Sequence, residues 1–449
     1  MSSFVGVTAA LIAAVFALSP GAVGQLVDQT PSARGGSAAE ACLGRPPTIV
    51  GTPGAEVVGT EGPDVVLSNG SIAVAALGGD DLVCVTGVTS AADVGQMGCP
   101  RLDAGAGDDR IDATGGHVPC SLQVIPGPGK DEVLAQRIDH EFGVMVHARE
   151  RTSRGNEAGA DTDVIRTGTG PDEVEAGVQD VVDLAGGDDT LAIANEGGSL
   201  GGTWSGGTGS NTLQFSLWTP FRHPNEVHRW RMDNQNGQLM RDGAAVAQMT
   251  GFSYFDGHVK GPFRFIGSDV AETVTASGLP PEELLSARNR LWTMILEMRG
   301  GDDVFVYLRG GRRSHFDGGL GTDRFSFARG LNATSSARPK DAFLDLATGH
   351  LRYTRAGGRP TATSVLNFED VRWWTDTDVT LLGTDGPNTI ASRASKPVGS
   401  MTVRGRRGDD VMRGGAGDDV LIGGRGADVV DGRGGSDRCE SEEVTRCES

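Results

Sequence analysis

The stretch GRRGDDVMRGGAGDDVLIGGRGADVVDGRGGSDRC, residues 405–439, places Asp410, Asp419, Asp428 and Asp437 nine residues apart. Numbered from Gly405, Gly414, Gly423 and Gly432 as position one, position four is Gly408, Gly417, Gly426 or Gly435 and position six is the aspartate. Position eight is Met412, Leu421, Val430 or Cys439. Carboxylates at this interval can bind a cation if the backbone stacks them. When two nonapeptides close one coil, Asp410 lies over Asp428 and Asp419 over Asp437, one strand spacing or about 4.8 Å apart. Acids that close must share protons or recruit a cation. Carboxylates joined by the carbonyls of tight glycine turns suit Ca²⁺, which takes about six to eight oxygen ligands in flexible geometry. Zinc would call for His or Cys, and neither stands at position six.

The elements that must position these acids follow from the same pattern. Glycines at positions one and four are expected to take positive φ and reverse the chain. Runs such as DVL and DVV then extend, and position eight points inward because side chains alternate along a strand. A parallel sheet needs cover on its faces, and a solenoid provides it by stacking each coil on the next.

Degenerate copies of the motif recur through the chain, among them ALGGDDLVCV, GAGDDRID, GPGKDEVLA, GTGPDEVEA, LAGGDDTLAI, RGGDDVFVY and GGLGTDRFSF. Asp81, Asp109, Asp189, Asp303 and Asp323 keep the Gly-x-Asp spacing and are the second-rank metal candidates. Position six reads Glu at Glu56 and Glu272, and Asn at Asn211 and Asn388. Turns before residue 400 mostly lie 17 to 31 residues apart, so their ligand columns are expected to be interrupted.

Residues 405–440 resemble the repeats-in-toxin (RTX), or hemolysin-type, calcium-binding nonapeptide array. The resemblance implies a parallel β-roll with Ca²⁺ as cofactor, bridging successive turns. It makes Asp410, Asp419, Asp428 and Asp437 the side-chain ligands, and it draws the remaining oxygens from the turns carrying Gly405, Gly414, Gly423 and Gly432. The fold class expected is all-β: a right-handed parallel β-solenoid, with a β-helix body ending in a calcium-binding β-roll.

The ends and composition set the remaining bounds. Residues 1–24 read as a signal peptide, with an uncharged run from Phe4 to Leu18 and Ala22-Val23-Gly24 as the cleavage site, the alternative being an uncleaved anchor in which residues 4–24 just span a bilayer. Residues 25–46 read as a flexible leader, 47–395 as a divergent solenoid, and 396–449 as the regular roll with a Cys-closed cap. Within the body, about 180–277 and 294–393 read as two copies of one unit, each carrying an insertion, about 212–265 and 328–382. PPEELLSARNRLWTMILEM, residues 280–298, gives two helical turns and then a strand over 291–298. Six cysteines behind an export signal predict disulfides, paired Cys42–Cys84, Cys99–Cys120 and Cys439–Cys447. Glycine is 69 of 449 residues and the net charge is −19, so turns outweigh a thick core and nucleic acid is excluded as a partner. Past residue 24 nothing is apolar for long enough to span a bilayer.

Other motifs read as structure. HEFGVMVH spaces His140 and His147 seven apart, too far for the zinc-protease helix. The basic loops 221–232 and 309–315, and Trp373-Trp374, read as solvated or packing residues. GDD pairs read as repeat rather than as a glycosidase dyad. The function expected is a secreted, extracellular or surface-associated protein in which Ca²⁺ stabilises the solenoid, with no catalytic constellation. Two rivals stay open: an extracellular hydrolase or lyase acting on polysaccharide or protein, and a calcium-dependent adhesin with a cell-surface or glycan partner.

Overall fold

The structure is a computed structural model that describes residues 41–88, 99–118, 120–136, 142–148, 161–194, 201–217, 227–259, 261–277, 293–309, 313–328, 339–355, 361–374, 377–392 and 399–447. The segments read as signal peptide (1–24) and as most of the leader (25–40) lie outside the described residues, as do His140 and the helical turns expected before residue 291.

Every regular element among the described residues is a strand, two to seven residues long. The strands form two ladders of 21 and 17 members that face each other across the core. Rung follows rung in parallel register: Val411–Arg413 lies between Thr389–Ser392 and Val429–Asp431, with Met412 opposite both Ile390 and Val430. The all-β parallel solenoid expected from the repeats is thus the fold, and among the described residues no helix is long and apolar enough to cross a membrane.

Alternation decides which residues go inside. The residue two places after each turn acid is buried in rung after rung: Val83, Ile111, Val133, Val174, Leu191, Phe305, Phe325, Met412, Leu421 and Val430. Each such side chain contributes about 1.5–3 kcal/mol by leaving water. Core residues are small near the start of the solenoid (Val74, Ala76, Val83, Ala104) and aromatic in its middle, where Phe327 stacks on Trp373 at 4.2 Å. The expected strand over 291–298 occurs at Met294–Glu297.

The regions read as insertions prove to be part of the wall. Trp230–Asp233, Gln238–Arg241 and Ala244–Thr250 form an antiparallel meander. Its outer strands pair in parallel with Phe263–Ile266 and Gly202–Ser205. Pro339–Asp345, His350–Arg355 and Thr361–Leu366 repeat this arrangement between Asp378–Leu382 and His315–Asp317. In the opposite ladder Thr212–Leu217 pairs directly with Tyr254–Val259, and Arg324–Phe327 with Asp370–Trp373. Each meander therefore adds two strands to one face only, which accounts for the whole difference between the ladders. The disulfides are Cys42–Cys84, Cys99–Cys120 and Cys439–Cys447, the pairing read from the sequence.

Candidate metal centre

The turns set the position-six acids inside the solenoid rather than on its rim. Asp410, Asp419, Asp428 and Asp437 are 0 to 2 % exposed. Each spends one carboxylate oxygen on the coil before it. The Asp410 N–H donates to Asp428 Oδ1 at 2.9 Å, the Asp419 N–H to Asp437 Oδ1 at 2.9 Å, and the Asn388 N–H to Asp410 Oδ1 at 2.8 Å. Asp419 Oδ1 accepts from the Met401 N–H at 2.7 Å. A buried carboxylate accepting a backbone N–H makes a charge-assisted bond, about twice as strong as a neutral one.

This ladder runs through the divergent body as well. On one edge Asp64 N–H donates to Asp81, Asp81 to Asp109, Asp109 to Asp131, Asp131 to Asp163 and Asp163 to Asp180, at 2.7 to 3.1 Å. On the other, Asp172 donates to Asp189, Asp189 to Asn211, Glu272 to Asp303 and Asp303 to Asp323, at 2.7 to 3.0 Å. The first edge steps 17, 28, 22, 32 and 17 residues along the chain without a break. The expected interruption is absent from Asp64 to Asp180 on the first edge and present on the second, where Ser253 instead of an acid fills the coil between Asn211 and Glu272. The strands on either side of the longer steps keep their register.

Several ladder members escaped the sequence reading. Asp131 and Asp172 keep Gly-x-Asp through Gly129 and Gly170 and could have been found by it. Asp163 and Asp180 follow Asp161 and Val178 at that place, and only the apolar residue two positions later marks them. Glu56, taken as a position-six substitute, is instead exposed on the strand Glu56–Val58.

The outer acid of each GDD pair staples in the other direction. Asp80 Oδ1 accepts the Asp108 N–H, Asp108 the Lys130 N–H, Asp188 the Ser210 N–H and Asp302 the Thr322 N–H, at 2.8 to 3.0 Å. In the tail Asp409 accepts from Ala427 and Asp418 from Ser436, both at 2.8 Å. One acid reaches back a coil and its neighbour reaches forward.

What remains is the second oxygen of the inner acid. Oδ2 of Asp81, Asp109, Asp189, Asp303, Asp323, Asp410 and Asp428 is buried with no hydrogen-bond partner. A bare buried carboxylate oxygen is costly. At Asp323, Asp410 and Asp428 a position-one glycine (Gly318, Gly405, Gly423) makes the space it faces, whereas Ala76, Ala104, Leu184 and Met298 stand at that place before Asp81, Asp109, Asp189 and Asp303. A Cβ at Gly405 would strike Asp410 Oδ2 and lie 2.6 Å from the Gly423 carbonyl oxygen, and one at Gly423 would strike Asp428 Oδ2. At Gly414 it would meet Asp419 Oδ2 and the Gly432 oxygen, both at 2.5 Å. In the tail, glycine at position one thus serves close approach and not the positive φ expected there. Positive φ falls at position four (Gly408, Gly426, Gly435) and at position two (Arg406, Gly424, Arg433).

Burial is the first cause of the titration shifts that follow, and stacked acids reinforce it. Asp303 is pushed up to about 8, with Glu272 and Asp323 adding repulsion. Asp109 and Asp189 rise to about 7, with help from Asp81 and Asp172 respectively. Asp323 and Asp410 rise to about 6, and Asp81 and Asp419 shift upward by the same mechanism. An oxygen in this setting needs either a proton or a hard cation.

The donor set fits calcium. Among the described residues no three His, Cys, Asp or Glu side chains gather as a ligand cluster, so an ion at these turns would draw on main-chain carbonyls beside one or two carboxylates. That oxygen-only mixture suits Ca²⁺ and not zinc. A family model for the RTX calcium-binding nonapeptide repeat matches the chain in four copies, at residues 101–117 and 404–439. No curated protein matches it. The matched segments hold Asp109 and all four tail aspartates, and the chain is therefore a repeat protein carrying RTX calcium-binding nonapeptides.

Proposed function

We propose that Ca²⁺ bound at these turns stiffens an extracellular β-solenoid, and that the protein's role is carried by the stability this confers. The observation that carries the reading is the row of buried, unpartnered Oδ2 atoms, which at Asp323, Asp410 and Asp428 lie in cradles opened by Gly318, Gly405 and Gly423. In the tail Asp410 and Asp428 would hold the ion together with carbonyls of the glycine turns, and in the body Asp81, Asp109, Asp189, Asp303 and Asp323 would do so. Calcium supplies positive charge that cancels the buried carboxylates and ties adjacent coils together. An extracellular setting is supported by the three disulfides, which persist in oxidising compartments. It is also where calcium reaches the roughly 10⁻⁴ to 10⁻³ M range typical of extracellular modules. The matching meanders at 230–250 and 339–366 support reading the body as a duplication.

Calcium at tenfold excess over Kd adds about 1.4 kcal/mol per independent site. Hydrogen exchange in the coils from residue 399 onward should therefore quicken at least tenfold when calcium is stripped. Identical protection with and without calcium would overturn the proposal.

A further inference from the structure

We infer that the backbone at position two of each turn decides whether that turn can accept an ion, so that the tail sites are unequal and Asn211 is a built-in plug. The inference rests on the calcium reading above and sorts its sites.

Two kinds of turn occur. In the first, position two is left-handed: Leu77 (φ 79°), Gly105 (97°), Ala185 (56°), Arg299 (75°), Gly319 (103°), Arg406 (86°) and Gly424 (124°). The acids four residues later are Asp81, Asp109, Asp189, Asp303, Asp323, Asp410 and Asp428, and each has a bare Oδ2. In the second kind position two is Thr60, Gly168, Thr384 or Gly415, none of them left-handed. There the position-two N–H donates to the position-six side chain itself: to Asp64 at 2.7 Å, Asp172 at 3.3 Å, Asn388 at 2.7 Å and Asp419 at 2.6 Å. The same chain therefore builds open turns, with an oxygen left for a ligand, and closed turns that satisfy themselves. Glu272, one methylene longer, is mixed: it takes three donors on Oε1 and leaves Oε2 bare.

Left-handed Leu, Ala and Arg cost about 1–2 kcal/mol each relative to the ordinary helical conformation. Strain of that kind persists where something else offsets it, and an ion on the freed oxygen would do so.

Asn211 shows what the open space demands. Its turn is of the open kind, with Gly207 at φ 72°. Its Oδ1 keeps the ladder bond from Asp189 N–H, while Nδ2 donates to the Gly206 and Gly251 carbonyls at 2.8 and 2.9 Å. Those carbonyls face the spot where an aspartate would present Oδ2. The amide hydrogens occupy the place of a cation and neutralise the site without one.

Equilibrium dialysis of the full chain against radioactive calcium, read as ions per chain, tests the sorting. Asp410→Asn and Asp428→Asn should each lower the count by about one. Asp419→Asn, whose Oδ2 already accepts the Gly415 N–H, should leave it unchanged, and Asn211→Asp should raise it by one. Equal losses for Asp410→Asn and Asp419→Asn would overturn the sorting while leaving the calcium reading standing, and a wild-type chain that binds no calcium would sink both. The contrast of the two isosteric tail variants decides the matter even if Asn211→Asp fails to fold.

Discussion

Gly426→Val should unravel the C-terminal coils. Gly426 sits at φ 144°, and a Cβ there would strike the Gly408 carbonyl, whose carbon lies 2.6 Å away. A β-branched residue meets both penalties together, because neither the backbone of the neighbouring coil nor its own φ can yield without breaking the rung. Strained backbone costs about 1–3 kcal/mol and overpacking a further 1–3 kcal/mol or so. The expected loss is therefore about 2–6 kcal/mol, seen as lost exchange protection from residue 399 onward. Gly62→Ala is the matched control. Its nearest neighbour would be Thr60 Oγ1 at 4.0 Å and its φ is ordinary, so its effect should stay within about 0.5 kcal/mol. A Gly426→Val protein as stable as this control would contradict the stacking described here.

The second large effect is a reversal of pH dependence by calcium. Asp303, Asp109, Asp189, Asp323 and Asp410 titrate at about 8, 7, 7, 6 and 6 in the folded chain, against about 3.9 when unfolded. Folding raises these values, so the calcium-free protein takes up protons as it folds. Their contribution to stability is complete below about pH 4 and is lost as pH rises through 6 to 8. The calcium-free solenoid should therefore melt several degrees higher at pH 5 than at pH 8. Calcium competes with those protons, so its stabilising increment should be largest at pH 8 and small at pH 5. Thermal unfolding of stripped and calcium-loaded protein at both values checks this. A calcium-free protein that weakens on acidification to pH 5 would show that the buried acids are ionised by some other means.

How much of this was visible in the sequence depends on how far apart the interacting residues lie. The inward run of Met412, Leu421 and Val430 was legible because alternation is a property of adjacent residues. The vertical stacking of Asp410 on Asp428 was legible because the tail repeats without insertions. Asp163 and Asp180 were not, because Asp161 and Val178 stand where the motif has glycine. The roles of positions one and two were also hidden. Glycine at position one signals flexibility in a sequence, whereas its job is to let an oxygen and a carbonyl approach. Arg406 and Arg433 give no hint of left-handed backbone until neighbouring coils fix it. The insertions looked like excursions because nothing local says that a meander will dock its outer strands onto the flanking rungs.

The most direct measurement is anomalous scattering from crystals grown in millimolar calcium. Calcium peaks should appear inside the tail turns, against Asp410 Oδ2, Asp428 Oδ2 and the Gly423 carbonyl. Peaks confined to the exposed acids Asp409 and Asp418, with the buried oxygens bare in well-ordered turns, would contradict the idea that a metal completes this fold.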